Sequence, residues 1–569
     1  MQKSQSSNAI RTYSIILVVL LFAAVIIIGI MASVPPVSRD ALIHHLAIPK
    51  LYLEHGGIYE IPAFGFSYYP MNVTLLYAIP LYFGSDILPK FIHFAFAIGT
   101  AFLIYRYLIR RLSKEYALIG ALFFLTIPVI VRLSTTAYVD LGLIFFLFAS
   151  ILFLFNWIES RFKIRYLLLS AVFCGLALGT KYNGLVGLFL LGLFVPFVYS
   201  RYTMDEKKRI NSAKAIGYAF VFVAVSLAVF SPWMIRNAMW TGNPVYPLYD
   251  GVFNPATPSV EPSGEAGEEL SRGMNHFQVR RDVYGESTLE IALIPIRVFF
   301  QGQDDNPKYF DGRLNPFLFF LAIFSLFGLR GQTRQLKTEK LMLLFFSILF
   351  LLISCAQTSI RIRYFSPIIP PLVILSMYGL HALHEKAKDF KPLSTRLKKF
   401  CIFAVVFVML SLNGLYSISL FQDIKPFEFI TGKVSRDEYI QHFRPEYASM
   451  QYANQNLSGE DKILGVFLGN RGYYSDIEIG FTIDKLQKFA AVAKHPSNIA
   501  EMLRDEGFSH LLINYDLFNT YAANYSNHEK RILASFFDEY THTEFAKDGN
   551  GLMRILHPPN DQQTLQRNG

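Results

Sequence analysis

Long apolar stretches, each bounded by charged or turn-forming residues, recur along the first three quarters of the chain. A membrane-spanning helix needs about 20 mostly apolar residues. The pattern predicts eleven such helices, at residues 13–32, 87–105, 116–133, 140–158, 166–181, 184–200, 215–232, 314–330, 340–356, 365–384 and 400–420. The first is too long for a signal-peptide core and no clean small-residue cleavage site follows, so it reads as an uncleaved anchor. The segment 72–83 (NVTLLYAIPLYF) is too short to span and holds Pro80, which suits an interfacial or re-entrant piece. No internal repeat is visible.

Beyond residue 420 the pattern changes to short alternating elements. Lys462 to Phe467 and Leu511 to Tyr515 read as strands, Asn498 to Asp505 and His528 to Phe537 as helices. Thr543 to Leu556 reads as a hairpin turning at Asp548-Gly549-Asn550-Gly551. Alternating helix and strand predicts a small α/β domain. The chain therefore divides into a membrane module, 1–420, and a C-terminal domain, 421–569.

Basic residues orient the spans, because cytoplasmic loops collect Lys and Arg. With the N-terminus (Lys3, Arg11) inside, the basic turns all fall on the same side: Arg106 to Lys114, Arg161 to Arg165, Arg201 to Lys214, Arg330 to Lys340 and Lys386 to Lys399. The short outer turn 134–139 has no Lys or Arg. Three regions then lie outside the cytoplasm: the loops 34–86 and 233–313, and the C-terminal domain.

Composition agrees. The 569 residues are 52% apolar and 17% charged, against about 25% charged in soluble domains. This excludes an ordinary cytosolic enzyme. The net charge of +10 belongs to the cytoplasmic loops, so it implies no nucleic-acid partner. Three scattered cysteines (Cys174, Cys355, Cys401) make neither a disulfide framework nor a zinc site.

Candidate chemistry lies at the outer ends of the spans, where ionisable residues are costly and therefore informative. The first outer loop opens Ser38-Arg39-Asp40-Ala41-Leu42-Ile43-His44-His45. Ser38 could cap a helix that places Asp40 and His44 on one face, with Pro49 bending or ending it and Gly56-Gly57 closing the segment. Asp40 is either a general base or a partner of that helix's dipole. Asp140, in Ala137-Tyr138-Val139-Asp140, is either functional or an N-cap carboxylate. Lys181, in Gly179-Thr180-Lys181-Tyr182-Asn183, runs against the charge bias. It serves an anionic lipid phosphate or snorkels to the interface. Arg236 follows in Pro232-Trp233-Met234-Ile235-Arg236-Asn237, and then comes Thr241-Gly242-Asn243-Pro244-Val245-Tyr246-Pro247. Arg361 and Arg363 stand in Arg361-Ile362-Arg363-Tyr364-Phe365-Ser366-Pro367, and Arg binds phosphate bidentately. Two carboxylates and four cations on one face suit attack on a phosphate-activated lipid donor. Glu261, Glu265, Glu268 and Glu269 lie in a loop that carries no assigned chemistry. His44 and His45 lack a third ligand at metal spacing. No metal site is assigned, and a divalent ion is not favoured as cofactor.

The order of these motifs, with their sidedness, resembles the C-type (GT-C) glycosyltransferase superfamily. The resemblance is to the bacterial family 39-like branch related to protein O-mannosyltransferases and aminoarabinose transferases, and it covers roughly residues 14–385. It implies an α-helical polytopic membrane protein of about eleven spans, carrying the small extracytoplasmic α/β domain. The implied enzyme takes a sugar from a polyprenyl-phosphate donor within the bilayer and passes it to a protein, lipid or glycan acceptor. By the same resemblance Asp40 and Asp140 are the catalytic acids, with Asp40 the base. Lys181, Arg236, Arg361 and Arg363 would bind the donor phosphate. His44, His45, Glu54, Glu60, Tyr138, Asn243 and Tyr246 are the substrate-lining candidates. Many members carry Asp-Glu in the first loop; here Ala41 follows Asp40, and Glu54 or Glu60 would have to stand in. The expected setting is a bacterial plasma membrane, with the N-terminus inside. Competing readings are a transporter or flippase of lipid-linked sugars, an outer-face ligase or polymerase of lipid-linked glycans, and a scaffold built around the C-terminal domain. Against transport, the charges gather at one outer edge rather than at the midplane.

Overall fold

The computed structural model describes residues 2–62, 64–203, 208–255, 275–356, 359–389 and 394–556. The acidic loop residues Glu261, Glu265, Glu268 and Glu269, and Lys207 of the third basic turn, lie outside the described residues. Among those described, the chain forms two compact units. One comprises 2–34, 68–255 and 275–427; the other comprises 35–67 and 428–556. The segment that opens with Asp40 therefore groups with the C-terminal elements.

The first unit is a helical bundle. Eight of its helices are long and apolar enough to cross a membrane: Thr12–Ala32, Leu88–Arg111, Asp140–Glu159, Gly184–Thr203, Ser212–Thr241, Arg334–Cys355, Ile362–Lys388 and Arg396–Ile424. Lys114–Thr126 and Pro128–Ser134 make a ninth if counted as one span, bent by 64°. The bend has a local cause. A residue before proline is pushed out of helical geometry, and Ile127 sits at φ −55°, ψ 131°. The two remaining expected spans are shorter than anticipated. Residues 166–181 become the 15-residue helix Ile164–Leu178, and 314–330 keeps only Phe317–Phe324 before breaking into turns ahead of Gly328, a left-handed residue at φ 73°. The apolar segment after Tyr68 forms the helix Asn72–Tyr82 with Pro80 inside, short as expected.

The spans differ in enclosure. Ile362–Lys388 and Asp140–Glu159 are the most deeply packed, whereas Thr12–Ala32, Ser212–Thr241 and Arg396–Ile424 turn most of their apolar surface outward. Outward apolar surface is stable only against lipid. Close packing at the centre rests on small residues. A Cβ added at Gly379 would meet the Leu321 carbonyl oxygen at 1.9 Å, so here two backbones touch.

The second unit is built on a five-stranded sheet in the order β2-β1-β3-β5-β4, with β1 Lys462–Val466, β2 Glu478–Thr482, β3 His510–Asn514, β4 Thr541–Lys547 and β5 Asn550–Ile555. β1 pairs parallel with β2 and β3, and β5 pairs antiparallel with β3 and β4. Strand periodicity divides the core. Leu464, Val466, Leu511 and Ile513 pack under helices carrying Leu486, Ile499, Leu503 and Phe536. Ile463, Leu512 and Leu552 pack on the other face against Met450 and Ala453. The predicted strands, helices and hairpin are all present. Asp548 and Gly549 both have positive φ, which suits the tight β4–β5 turn.

Candidate active site

Asp140 is the first residue of the helix Asp140–Glu159 and not its cap; that position is Val139, which offers no capping side chain. The exposed first amides of a helix need an acceptor. Here the Leu141 amide donates to Nε2 of His93, at 2.9 Å, from the neighbouring helix Leu88–Arg111. The Asp140 carboxylate is thus not consumed by its own helix. Its Oδ1 accepts from Lys181 Nζ at 2.7 Å. The Asp140 side chain is 1% exposed and that of Lys181 18%. Asp140 Oδ2 is buried and has no hydrogen-bond donor among the described residues.

Lys181 sits in the turn between Ile164–Leu178 and Gly184–Thr203. The turn is pinned from two sides. The Asn72 amide donates to the Gly179 carbonyl at 2.7 Å, and a Cβ at Gly179 would lie only 2.1 Å from Asn72 Nδ2. Asn72 Oδ1 in turn accepts from Trp233 Nε1 at 2.8 Å. Lys181, for which the sequence offered a lipid phosphate or snorkelling, is thus paired with Asp140 in the structure.

Arg363 joins this cluster through aromatic rings. Its guanidinium lies 5.1 Å from the Tyr138 ring centroid and 5.2 Å from that of Tyr364, while Lys181 Nζ lies 4.9 Å from the Tyr364 centroid. Stacking on aromatic faces holds a cation without neutralising it. Tyr77 donates to the Tyr138 carbonyl, and Asn183 donates to the Tyr364 carbonyl at 3.2 Å. Arg361, two residues away, faces Asp311 instead, at 3.7 Å.

Arg236 is held at a separate position in the same unit. Its guanidinium packs against Trp233 and Trp240 at 4.6 and 4.8 Å, and donates to Asn237 Oδ1 and the Tyr69 carbonyl. Asn237 is fully buried and donates to the Tyr68 and Tyr246 carbonyls. Tyr182 also donates to the Tyr246 carbonyl at 2.8 Å, and burial pushes its phenol up, which preserves that proton. Asn243 is equally buried. Its side chain accepts from the Val245 amide and donates to Leu248 and Asp250, fixing the turn that leads to the cis Tyr246-Pro247 bond.

The first-loop candidates belong to the other unit. The turn after Asp40 is wound wider than an α-helix: Ala41–His45 is a π-helical turn closed by Leu46 N–H donating to Ala41 O. His44 stacks on Phe66 at 4.4 Å and meets the tilted ring of His45 at 4.0 Å. Pro49 neither bends nor ends a helix; it lies in the first turn of Ala47–His55, which Gly56 closes in the left-handed conformation. Lys50 donates to the carbonyls of Tyr473 and Ser475 and to Asp476, with Glu54 3.9 Å away. Glu54 is exposed and Glu60 half-buried. Among the described residues no three His, Cys, Asp or Glu side chains are grouped to hold a metal ion.

Sequence reasoning brought Asp140, Lys181, Arg363 and Tyr138 to notice but missed His93 and Tyr364. His93 carried a signal, an ionisable ring inside an apolar span, that was available and unused.

Residues 83–235 match the family described as dolichyl-phosphate-mannose-protein mannosyltransferase. That stretch contains His93, Asp140 and Lys181. No curated protein matches the chain in sequence. In fold it is similar to ArnT of Cupriavidus metallidurans in the apo state, with a TM-score of 0.54 at 14% identity, over 98% of this chain and 100% of that one. The same protein bound to undecaprenyl phosphate gives 0.53 at 13%, covering 97% and 100%. The archaeal oligosaccharyltransferase AglB of Archaeoglobus fulgidus, in complex with an inhibitory peptide and a dolichol-phosphate, gives 0.51 at 11%, covering 94% and 74%. The likeness to the C-type superfamily, first read from motif order, is thus borne out in the fold.

Proposed function

We propose that this chain, which has the C-type glycosyltransferase fold, transfers a sugar from a polyprenyl-phosphate donor to an acceptor at the extracytoplasmic face of a bacterial plasma membrane. One observation carries the reading. A buried aspartate with an uncommitted carboxylate oxygen is paired to a lysine, and an aromatic-held arginine shares a ring with that lysine. Further support comes from the whole-length likeness to an ArnT that binds undecaprenyl phosphate.

In the proposed reaction an acceptor hydroxyl or amine attacks the anomeric carbon. The bond from that carbon to the phosphate oxygen breaks, and the polyprenyl phosphate departs. The donor is a phosphodiester with one negative charge; the leaving group is a monoester that gains a second. Stabilising that growing charge accelerates the step only if it is stronger in the transition state than in the ground state. Asp140, Lys181 and Arg363 together sum to one positive charge, so the cluster answers the charge that develops. Arg236 and Arg361 are assigned to the donor phosphate as well. Asp40 is assigned as the base that takes the acceptor proton, and what supports this is its place in the motif order directly after the first span. The charge bias of the loops supports an N-terminus in the cytoplasm.

The test uses wild type, Asp40→Asn and Asp140→Asn in nanodiscs, with a panel of radiolabelled polyprenyl-phosphate sugars. Loss of label from one donor with wild type alone is the expected result. Full turnover by Asp40→Asn removes the base assignment. Donor binding without turnover by wild type points to transport instead.

A further inference from the structure

We infer that His93 is a positioning residue that keeps the Asp140 carboxylate available, an assignment that rests on the proposed function of the Asp140 site. The geometry fixes how the imidazole is protonated. The Leu141 amide can only donate, so Nε2 of His93, at 2.9 Å, must be the bare nitrogen. The proton then sits on Nδ1, which lies 2.9 Å from both the Leu133 and the Thr136 carbonyl oxygens. His93 is fully buried and neutral in this arrangement, accepting on one side and donating on the other.

Two elements are thereby joined through one ring. Leu133 lies in the last turn of Pro128–Ser134 and Thr136 just past its end, while Leu141 is the second residue of the helix that Asp140 opens. The consequence for Asp140 is specific. Aspartate side chains readily take nearby backbone amides, which is why they cap helices. Here the amide next to Asp140 is already satisfied by a neutral acceptor from another helix. Asp140 is left with one oxygen on Lys181 and the other without a donor among the described residues. With His93 removed, the Leu141 amide becomes an orphan in a buried place, and the first turn of Asp140–Glu159 loses its tie to Leu88–Arg111. The Asp140 carboxylate would then no longer be held in place opposite Lys181.

The test compares His93→Ala with His93→Gln, since a glutamine side chain offers both an acceptor and a donor. In His93→Ala, kcat falls by about 100-fold, the scale of an ångström-sized misplacement, while KM for the donor stays within about threefold. His93→Gln keeps kcat within about tenfold of wild type. Hydrogen–deuterium exchange supplies a readout that needs no substrate: amides at the start of Asp140–Glu159 exchange faster in His93→Ala and not in His93→Gln. A purely space-filling role moves KM and kcat together and gives glutamine no advantage. Equal kcat for wild type and His93→Ala, equal loss in both folded variants, or unchanged exchange in His93→Ala overturns the inference. If His93→Ala does not fold, His93→Gln decides, and loss of its protection at Leu141 overturns the claim. Should wild type turn over no donor, the proposed function fails, while the exchange comparison still judges the role of His93.

Discussion

Replacing Lys181 with methionine removes a cation and keeps the aliphatic stem, so it isolates the charge pairing with Asp140. The partner left behind has a side chain only 1% exposed, in a helix that packs at the centre of the bundle. Breaking a buried pair by removing one member costs about 3–5 kcal/mol, because the surviving charge is stranded. The lower end applies here, since Lys181 itself keeps 18% of its side chain exposed and loses less solvation on pairing. With unfolding entropy near 2 cal/mol/K per residue, a unit of about 400 residues shifts its midpoint by roughly 1 °C per kcal/mol, so about 3–4 °C is expected. Asp140→Asn is milder, because the released lysine can reach solvent. The informative variant is Asp140→Asn/Lys181→Met. Two neutral groups strand no charge, so the double variant should be more stable than Lys181→Met alone, with a coupling of about 2 kcal/mol. The assay is the thermal midpoint of purified protein in one detergent, followed for all four proteins. Additive losses, or a Lys181→Met midpoint within about 1 °C of wild type, would falsify the view that these two side chains form a buried pair.

Gly179→Ala should disturb the same turn by contact alone, since its Cβ would sit 2.1 Å from Asn72 Nδ2; a loss of about 1–3 kcal/mol is expected, checked by thermal midpoint. Glu286→Gln leaves Arg280 and Arg297 without their shared carboxylate where the Arg280 and Glu286 side chains are 1–2% exposed, so limited proteolysis between residues 275 and 300 should quicken, and an unchanged cleavage rate would refute it. The second unit should weaken in acid. Burial holds His510 in β3 below its usual 6.5, against the pull of the Glu544 and Asp461 carboxylates and with Arg554 adding to the depression. A depressed folded value means stability that is complete above 6.5 and lost as pH falls below it, towards and through the folded value. The protection of residues 510–514, taken from hydrogen exchange after division by the intrinsic rate at each pH, should therefore fall between pH 7.5 and 5.5, and His510→Gln should flatten that slope.

Much of the bundle was legible because a bilayer imposes one length and one solvent. Eight spans follow directly from apolar runs, and the bend at Ile127 follows from Pro128. The misreadings have equally definite causes. Residues 314–330 are apolar enough to span, but hydropathy says nothing about turn geometry, and the helix ends at Phe324. The capping pattern at Ser38 predicts a regular α-helix through His45, whereas Ala41–His45 winds as a π-helical turn. β2 escaped notice because Glu478-Ile479-Gly480-Phe481-Thr482 is only partly buried and lacks the apolar run that marked β1 and β3.

The site shows the same division in sharper form. Asp140, Lys181 and Arg363 announce themselves because a charge at the edge of a span is expensive, and an expensive residue must be held by something. What holds it is invisible along the chain. The pair spans 41 residues, the ring shared by Lys181 and Arg363 comes from Tyr364, and the amide beside Asp140 is satisfied from His93, 48 residues upstream. Each supporting contact uses a neutral group, imidazole, phenol or carboxamide, whose type is unremarkable in a membrane protein. Their arrangement nonetheless decides which oxygen of Asp140 remains free. A variant series confined to the charged residues would therefore measure the cost of losing charge. Only variants such as His93→Ala and Gly179→Ala, which keep every charge and move it, test whether position rather than charge sets the rate.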